Sequence, residues 1–262
     1  MAAPVLPRRP PRLTLARARA WRRRWDAQQV AGVEAREERF EFLLAALRAG
    51  VGRRFRFLDL GSGTGSLSER VLRRFPESRG VALDFDPVLL ALARRALSGA
   101  GARLRWVETD LRDPRWVRAL PTGQFDAAVS STALHWFTPT ELGGLYEQLA
   151  RRVRRGGLFL NADSLAYPPS EPAIRRIARE ARRTAAPAPA TGESWEGWWT
   201  AIEREPALRA ELDLRRARFP TAHMGTPTAD LSGHVRRLRA AGFREADVIW
   251  SHGNNRLLAA VR

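Results

Sequence analysis

Three aspartates close successive short apolar runs, and a histidine follows a fourth. The first run, residues 55–60, carries Asp59 and meets glycines on alternate positions, Gly61, Gly63 and Gly65, with Ser62 between the first two. Glycine lacks a Cβ and tolerates φ > 0, so backbone at such a turn can pass close to a ligand. A helix-compatible stretch follows at 66–75. Strand, glycine turn and helix together suit a nucleoside-bearing ligand at the end of a parallel sheet. The second run, 80–84, ends in Asp84, nineteen residues beyond Gly65. That is close to the offset of about 20 residues at which an acid binds ribose hydroxyls. Each charged hydrogen bond made there is worth about 1.5–3 kcal/mol. Phe85 is placed to contact an adenine face, and Pro87 opens a helix at its first position.

The third run is 104–108, with Asp110 and Leu111 at its C-terminal end; alone, an acid before Arg112-Asp113-Pro114 reads as a turn residue. The fourth is Gln-Phe-Asp-Ala-Ala-Val-Ser, ending at Ser130, and Ser131-Thr132-Ala133-Leu134-His135-Trp136 follows. A histidine there can orient or deprotonate an acceptor, since its reference pKa lies near neutrality. A purely structural hydrogen bond is the competing reading, and Trp136 is expected to pack. His223, His234 and His252 are scattered without metal-ligand spacing, so no metal site is expected.

The elements that must position these groups follow from the wider pattern. A chain of 262 residues, 44% hydrophobic with nine tryptophans, can hold one α/β domain with an insertion. No stretch of about 18 apolar residues occurs, which argues against a membrane span. There is no cysteine, so disulfides and thiol nucleophiles are excluded and a cytoplasmic location is expected. The net charge of +17 would suggest a nucleic-acid partner, yet all 45 basic residues are arginine and eight fall within the acid-free first 25 residues. Those first residues, with Pro4, Pro7, Pro10 and Pro11, read as a disordered arm over 1–27. A helix is expected over 28–47, with Val33, Phe40, Leu44 and Leu47 on one face and Glu37, Glu38 and Arg39 on a solvated, salt-bridging one.

Spacing then separates two cofactors. A dinucleotide fingerprint needs a glycine at position 66, and the chain has Ser66. The stretch Asp59-Leu60-Gly61-Ser62-Gly63-Thr64-Gly65 instead resembles motif I of the class I S-adenosylmethionine-dependent methyltransferases, of the methyltransferase domain 12/25 type. Phe125-Asp126-Ala127-Ala128-Val129-Ser130 resembles their motif IV. Ala133-Leu134-His135-Trp136 is most similar to the trans-aconitate methyltransferase type. The resemblance covers about 51–163 and 231–262. It implies a Rossmann-like seven-stranded sheet of order 3-2-1-4-5-7-6, one strand antiparallel, with helices on both faces. It implies S-adenosyl-L-methionine as cofactor, held by Asp59, Gly61, Ser62, Gly63, Gly65, Asp84, Phe85, Asp110, Leu111 and Ser130, with His135 beside the acceptor. Asp110 would accept from the adenine amino group, and Arg39 would lie near the methionine carboxylate.

Residues 164–230 interrupt the order between the fifth and sixth strands, where relatives build a helical substrate lid. Pro168-Pro169 and the Ala-Pro run 185–190 divide it. Trp195, Trp198 and Trp199 share one helical face, expected to pack the lid onto the sheet. The expected function is methyl transfer to a small carboxylate or hydroxyl acceptor by in-line displacement. Three alternatives stand beside it. The first is an RNA methyltransferase acting on ribose or ring nitrogen, although the Asn/Asp-Pro-Pro-aromatic motif of base-amine enzymes is absent after the fourth strand. The second is a non-catalytic cofactor-binding protein. The third, an NAD-dependent oxidoreductase, is disfavoured by Ser66. Acceptor identity and oligomeric state are not legible.

Overall fold

The computed structural model describes residues 11–185, 192–219 and 229–262. The first ten residues of the arm, residues 186–190 of the Ala-Pro run, and His223 lie outside the described residues.

Seven short apolar segments pair into one sheet: β1 (Arg56–Leu60), β2 (Arg79–Asp84), β3 (Leu104–Glu108), β4 (Phe125–Ser131), β5 (Val153–Ser164), β6 (Glu245–His252) and β7 (Asn255–Val261). Their order is β3-β2-β1-β4-β5-β7-β6, and β7 runs antiparallel to the other strands. Strands buried on both faces need apolar residues on consecutive positions, as in Phe57, Leu58 and Leu60 of β1. The helices are α1 (Leu15–Gly32), α2 (Arg36–Val51), α3 (Ser66–Arg74), α4 (Pro87–Ala96), α5 (Pro139–Arg152), α6 (Pro172–Ala185), α7 (Trp195–Ile202), α8 (Arg209–Arg218) and α9 (Leu231–Ala240).

They cover both faces. Leu142, Leu145, Tyr146 and Leu149 of α5 and Leu238 of α9 join Trp116, Phe159 and Phe243 in one core. Phe40, Leu43 and Leu47 of α2 and Val71 of α3 close the other over Phe57, Ala127 and Leu160. Sequence order reverses between β1 and β4, so their C-terminal ends open a crevice for a ligand.

Three expectations about the N-terminal region need correction. The arm is not disordered over 11–27. From Leu15 it is helix α1, capped by Thr14, and it buries Ala18 with Trp21 and Trp25 packed beside it. The single helix expected over 28–47 is two, because the backbone between Gly32 and Arg36 leaves helical geometry and Ala35 takes φ 51°. Arg39 is not on a solvated face. It is fully buried, donating to Asn255 Oδ1 on β7 and, at 3.3 Å, to Ser131 Oγ.

The insertion also packs differently from expectation. Trp198 is fully buried against Trp21 and Trp25 of α1, with ring centroids 5.8 and 4.8 Å away. Its core companions include Val88 and Leu92 of α4 and Leu208 and Leu212 at α8. Helices α7 and α8 of the insertion therefore rest on α1 and α4, not on the sheet. A carboxylate ties the two segments together: Glu205, itself buried, accepts from Arg17 Nη2 at 2.7 Å and Trp21 Nε1 at 2.9 Å.

The turn after β4 is fixed by a reciprocal cap on α5. Thr138 Oγ1 accepts from Glu141 N, and Glu141 Oε2 accepts from Thr138 N at 2.7 Å. Thr138→Ala is expected to lower unfolding free energy by about 1 kcal/mol in denaturant titration. An unchanged midpoint would mean that the turn is held by packing alone.

Candidate active site

A cavity of about 590 Å³ lies at the C-terminal ends of β1, β2, β3 and β4. Gly61, Ser62 and Gly63 form one wall, Asp84, Phe85 and Asp86 the next, then Asp110, Leu111 and Arg112, and finally Ser131 to Ala133 with His135 to Phe137. Helices α1, α2, α7 and α8, with the turn after α1, close it with Gln29, Val33, Arg36, Trp195, Trp199 and Arg215.

Each acid has a defined task. Asp59 is buried, and its Oδ2 accepts from Ser68 N at 3.1 Å and Ser68 Oγ at 2.6 Å, so it pins the start of α3. Burial pushes this carboxyl up to about 7. Asp84 accepts from Gly63 N at 2.6 Å through Oδ2 and from Asp86 N at 2.8 Å through Oδ1. It thereby ties the glycine turn to the end of β2, and burial raises its carboxyl to about 6. The N-cap of α4 is Asp86, whose Oδ1 accepts from Val88 N and Leu89 N. Asp84 is thus left without a capping role. For Asp110, burial alone would raise the pKa, but the two-pronged Arg112 guanidinium holds the carboxyl below its usual range.

The glycine turn admits no side chain where it meets the strand-four turn. Gly61 has φ 69°, and a Cβ there would stand 2.4 Å from the Ala133 Cβ. Gly65 and Ser130, in contrast, do not border the cavity. A Cβ on Gly65 would meet the Trp106 ring and Leu97 at 2.7 and 2.8 Å, which makes it a packing glycine. Ser130 Oγ donates to Leu60 O at 2.8 Å within the sheet, and its neighbour Ser131 faces the cavity instead. Phe85 lines the cavity with Phe219 edge-on at 5.6 Å and the Arg218 guanidinium 4.7 Å over its ring.

His135 sits in a tight 3-10 turn, Leu134–Trp136, against a partner that the sequence reading missed. Asp163, fully buried near the end of β5, accepts from His135 N at 3.1 Å and lies 2.7 Å from His135 Nδ1. An ionised carboxylate only accepts, so the proton resides on Nδ1 and Nε2 carries the lone pair. Burial would raise the Asp163 pKa, but His135, Ser164 N and Arg39 together hold it down. Burial would likewise lower the His135 pKa, but the Asp163 charge outweighs it and the imidazole is raised. Trp136 is 40% exposed, 4.8 Å from the His135 ring and part of the cavity wall; it does not pack into the core as expected. Of the tryptophans in the insertion, Trp195 and Trp199 border the cavity and Trp198 does not.

The signal for Asp163 was present: Leu158-Phe159-Leu160-Asn161 is an apolar run with an acid two residues later. Arg36 and Arg215, also missed, carry no motif and reach the cavity only through tertiary packing. Among the described residues, no group of three or more His, Cys, Asp or Glu is arranged to hold a metal ion. No described helix is long and apolar enough to cross a membrane.

This sheet order and crevice define a Rossmann-like α/β protein. Residues 57–157 match the family described as "Methyltransferase domain". A trans-aconitate 2-methyltransferase of Methylobacterium nodulans is 30% identical over 233 residues, covering 84% of this chain and 80% of that one. A demethylmenaquinone methyltransferase of Thermus thermophilus is 37% identical over 97 residues, 36% of this chain and 42% of that one. The chain thus spans under half the length of that relative, as it does of a trans-aconitate 2-methyltransferase from Acidovorax, at 44%. Among solved structures, magnesium protoporphyrin IX methyltransferase from Synechocystis with bound S-adenosylhomocysteine aligns at TM-score 0.55 and 15% identity, covering 92% of each chain. The chain belongs to the class I S-adenosylmethionine-dependent methyltransferases.

The cavity's residues fit that cofactor. Backbone at Gly61 and Gly63 is bare, the Asp84 carboxylate retains unused lone pairs, and Ser62 Oγ is buried without a partner.

Proposed function

We propose that the chain transfers a methyl group from S-adenosylmethionine to the oxygen of a small-molecule acceptor carrying a carboxylate or hydroxyl. The supporting observation is that one cavity joins the glycine turn and strand-end acids to a histidine oriented by a buried aspartate. When bound, the cofactor supplies an electrophilic methyl on a sulfonium.

In this reading Asp84 accepts the ribose hydroxyls, and Asp110 and Leu111 border the adenine with Phe85. Gly61, Ser62 and Gly63 receive the adenosyl group and methionine backbone. Asp59 and Gly65 act indirectly, by fixing the turn and α3. His135 Nε2 takes or holds the acceptor proton, and Trp136 bounds the acceptor. Residues 164–230 act as the substrate lid, with Trp195 and Trp199 excluding water.

Positioning of two reactants supplies about 7–11 kcal/mol of barrier lowering, and a general base about 10²–10⁴-fold. An acceptor that arrives as a carboxylate needs only the first; a hydroxyl needs both. The same reading places the enzyme in the cytoplasm with a diffusible partner.

Calorimetric titration with S-adenosylmethionine and S-adenosylhomocysteine, with NADH as control, tests the cofactor. Micromolar binding of both adenosyl ligands and none of NADH is expected. Radiolabelled methyl transfer to small acids and hydroxyl compounds then tests turnover. Binding without transfer to any acceptor would favour a non-catalytic role.

A further inference from the structure

The chain carries a large positive charge, but its cavity does not. Three guanidinium groups line the cavity among the described residues, those of Arg36, Arg112 and Arg215, and so do four aspartates, Asp59, Asp84, Asp86 and Asp110. Each arginine is already engaged. Arg36 places one η nitrogen on Asp26 at 3.1 Å and the other on Glu37 at 3.0 Å, and only its Nε lacks a partner. Arg112 grips Asp110 through Nε and Nη2. Arg215 Nε donates to Asp86 at 2.7 Å, and its guanidinium lies flat on Trp199, 3.6 Å from the ring centroid.

A small polycarboxylate would need at least one of these cations. It would have to share them with Asp26, Glu37, Asp86 or Asp110, and a part-exposed ion pair whose cation is already shared gives little net attraction. The remaining wall is aromatic: Trp25, Trp136, Phe137, Trp195, Trp199 and Phe219. Besides Arg36 Nε, the buried cavity-lining side-chain atoms without a partner are Ser62 Oγ and Trp199 Nε1, both neutral. Flat aromatic walls with neutral donors recognise ring systems by stacking and edge contacts. His135, with Nδ1 tied to Asp163, presents Nε2 for a hydroxyl proton beside the Trp136 ring.

We infer that the acceptor is an apolar ring compound bearing a hydroxyl, stacked on Trp136 and deprotonated at His135, and not a small polycarboxylate. This rests on the methyltransferase reading above. In the chemical step the His135 Nε2 lone pair takes the hydroxyl proton, and the oxygen forms the new bond to the methyl carbon. The methyl–sulfur bond breaks, leaving the neutral thioether S-adenosylhomocysteine and a protonated imidazole that returns its proton to water.

The test uses the full chain saturated with S-adenosylhomocysteine and titrates 1-naphthol and trans-aconitate by calorimetry. The naphthol is expected to bind about tenfold more tightly than trans-aconitate. Trp136→Ala should weaken the naphthol alone and leave S-adenosylhomocysteine affinity unchanged. Equal or tighter trans-aconitate binding overturns the inference, as does absence of naphthol binding in a chain that binds S-adenosylhomocysteine. Failure to bind S-adenosylhomocysteine at all sinks the underlying methyltransferase reading instead, so the two failures are distinguishable.

Discussion

Alanine in place of His135 is expected to lower kcat by about 10²–10⁴-fold, the contribution of a positioned general base, while leaving S-adenosylmethionine affinity unchanged. The argument rests on the tautomer. Asp163 is fully buried and accepts from both the backbone N–H and Nδ1 of His135, so the imidazole has one orientation and one free nitrogen. Because the Asp163 charge raises the imidazole pKa, the neutral base becomes available only above the reference value of about 6.5. The kcat profile of the wild type is therefore expected to rise with pH along a limb displaced upward from that value. Asp163→Asn removes the charge and should move the limb to lower pH. It should also depress the plateau, since an amide can present N–H to Nδ1 and hold the wrong tautomer. Stopped assays with radiolabelled methyl donor across pH 5–9 would read both effects. A flat profile with His135→Ala near wild-type rate would mean that the acceptor oxygen arrives ionised and that positioning alone drives transfer.

The second large effect is expected at Asp84. Its alanine variant should bind S-adenosylmethionine at least tenfold more weakly, since one charged hydrogen bond is worth about 1.5–3 kcal/mol. The loss has two parts, because Asp84 also holds Gly63 N at 2.6 Å and so shapes the turn. Asp84→Asn separates them in part: its one oxygen can keep Gly63 N, while the charge and the acceptor for Asp86 N are lost. Burial lifts the wild-type carboxyl to about 6, above its unfolded value of about 3.9. The ligand's hydroxyls favour the ionised form, so wild-type affinity should be full above pH 7 and decline as pH falls through about 6. That decline should be absent from Asp84→Asn. Equal binding by wild type and Asp84→Ala would displace the ribose from the end of β2.

Much of this architecture is legible because parallel strands leave continuous apolar runs punctuated by acids and glycines. Leu104–Glu108 coincides with the expected third run, and β1, β2 and β4 fall on the other three. The arm was misjudged because its eight arginines outweighed Trp21 and Trp25, which stand one helical turn apart. Their burial depends on Trp198, nearly 180 residues away, and local composition cannot reveal such a partner. The same holds for Arg39, whose neighbours on the chain are charged but whose site is sealed by Asn255 and Ser131. Asp163 follows the same strand-end logic as Asp59 and Asp84, and was overlooked because β5 continues beyond its apolar core through antiparallel pairing with β7. The glycine turn and strand-end acids are local and readable; the aromatic wall of the cavity is assembled from distant segments.

The union of α1 with α7 and α8 has a consequence for transplantation. The segment matching the methyltransferase domain family ends at residue 157 and begins at 57, so both partners of the Trp21–Trp25–Trp198 cluster fall outside it. Asp26 of α1 also accepts from Ser66 Oγ at 2.5 Å, which joins the cluster to the first residue of α3. Helix α1 thus packs with α7 and α8 as one unit that meets the common scaffold at α4 and at the start of α3. A chimera that exchanges only the 164–230 insertion with a relative would seat a foreign lid on a mismatched helix. Exchanging residues 11–35 together with the insertion preserves the aromatic joint and moves that wall of the cavity with it.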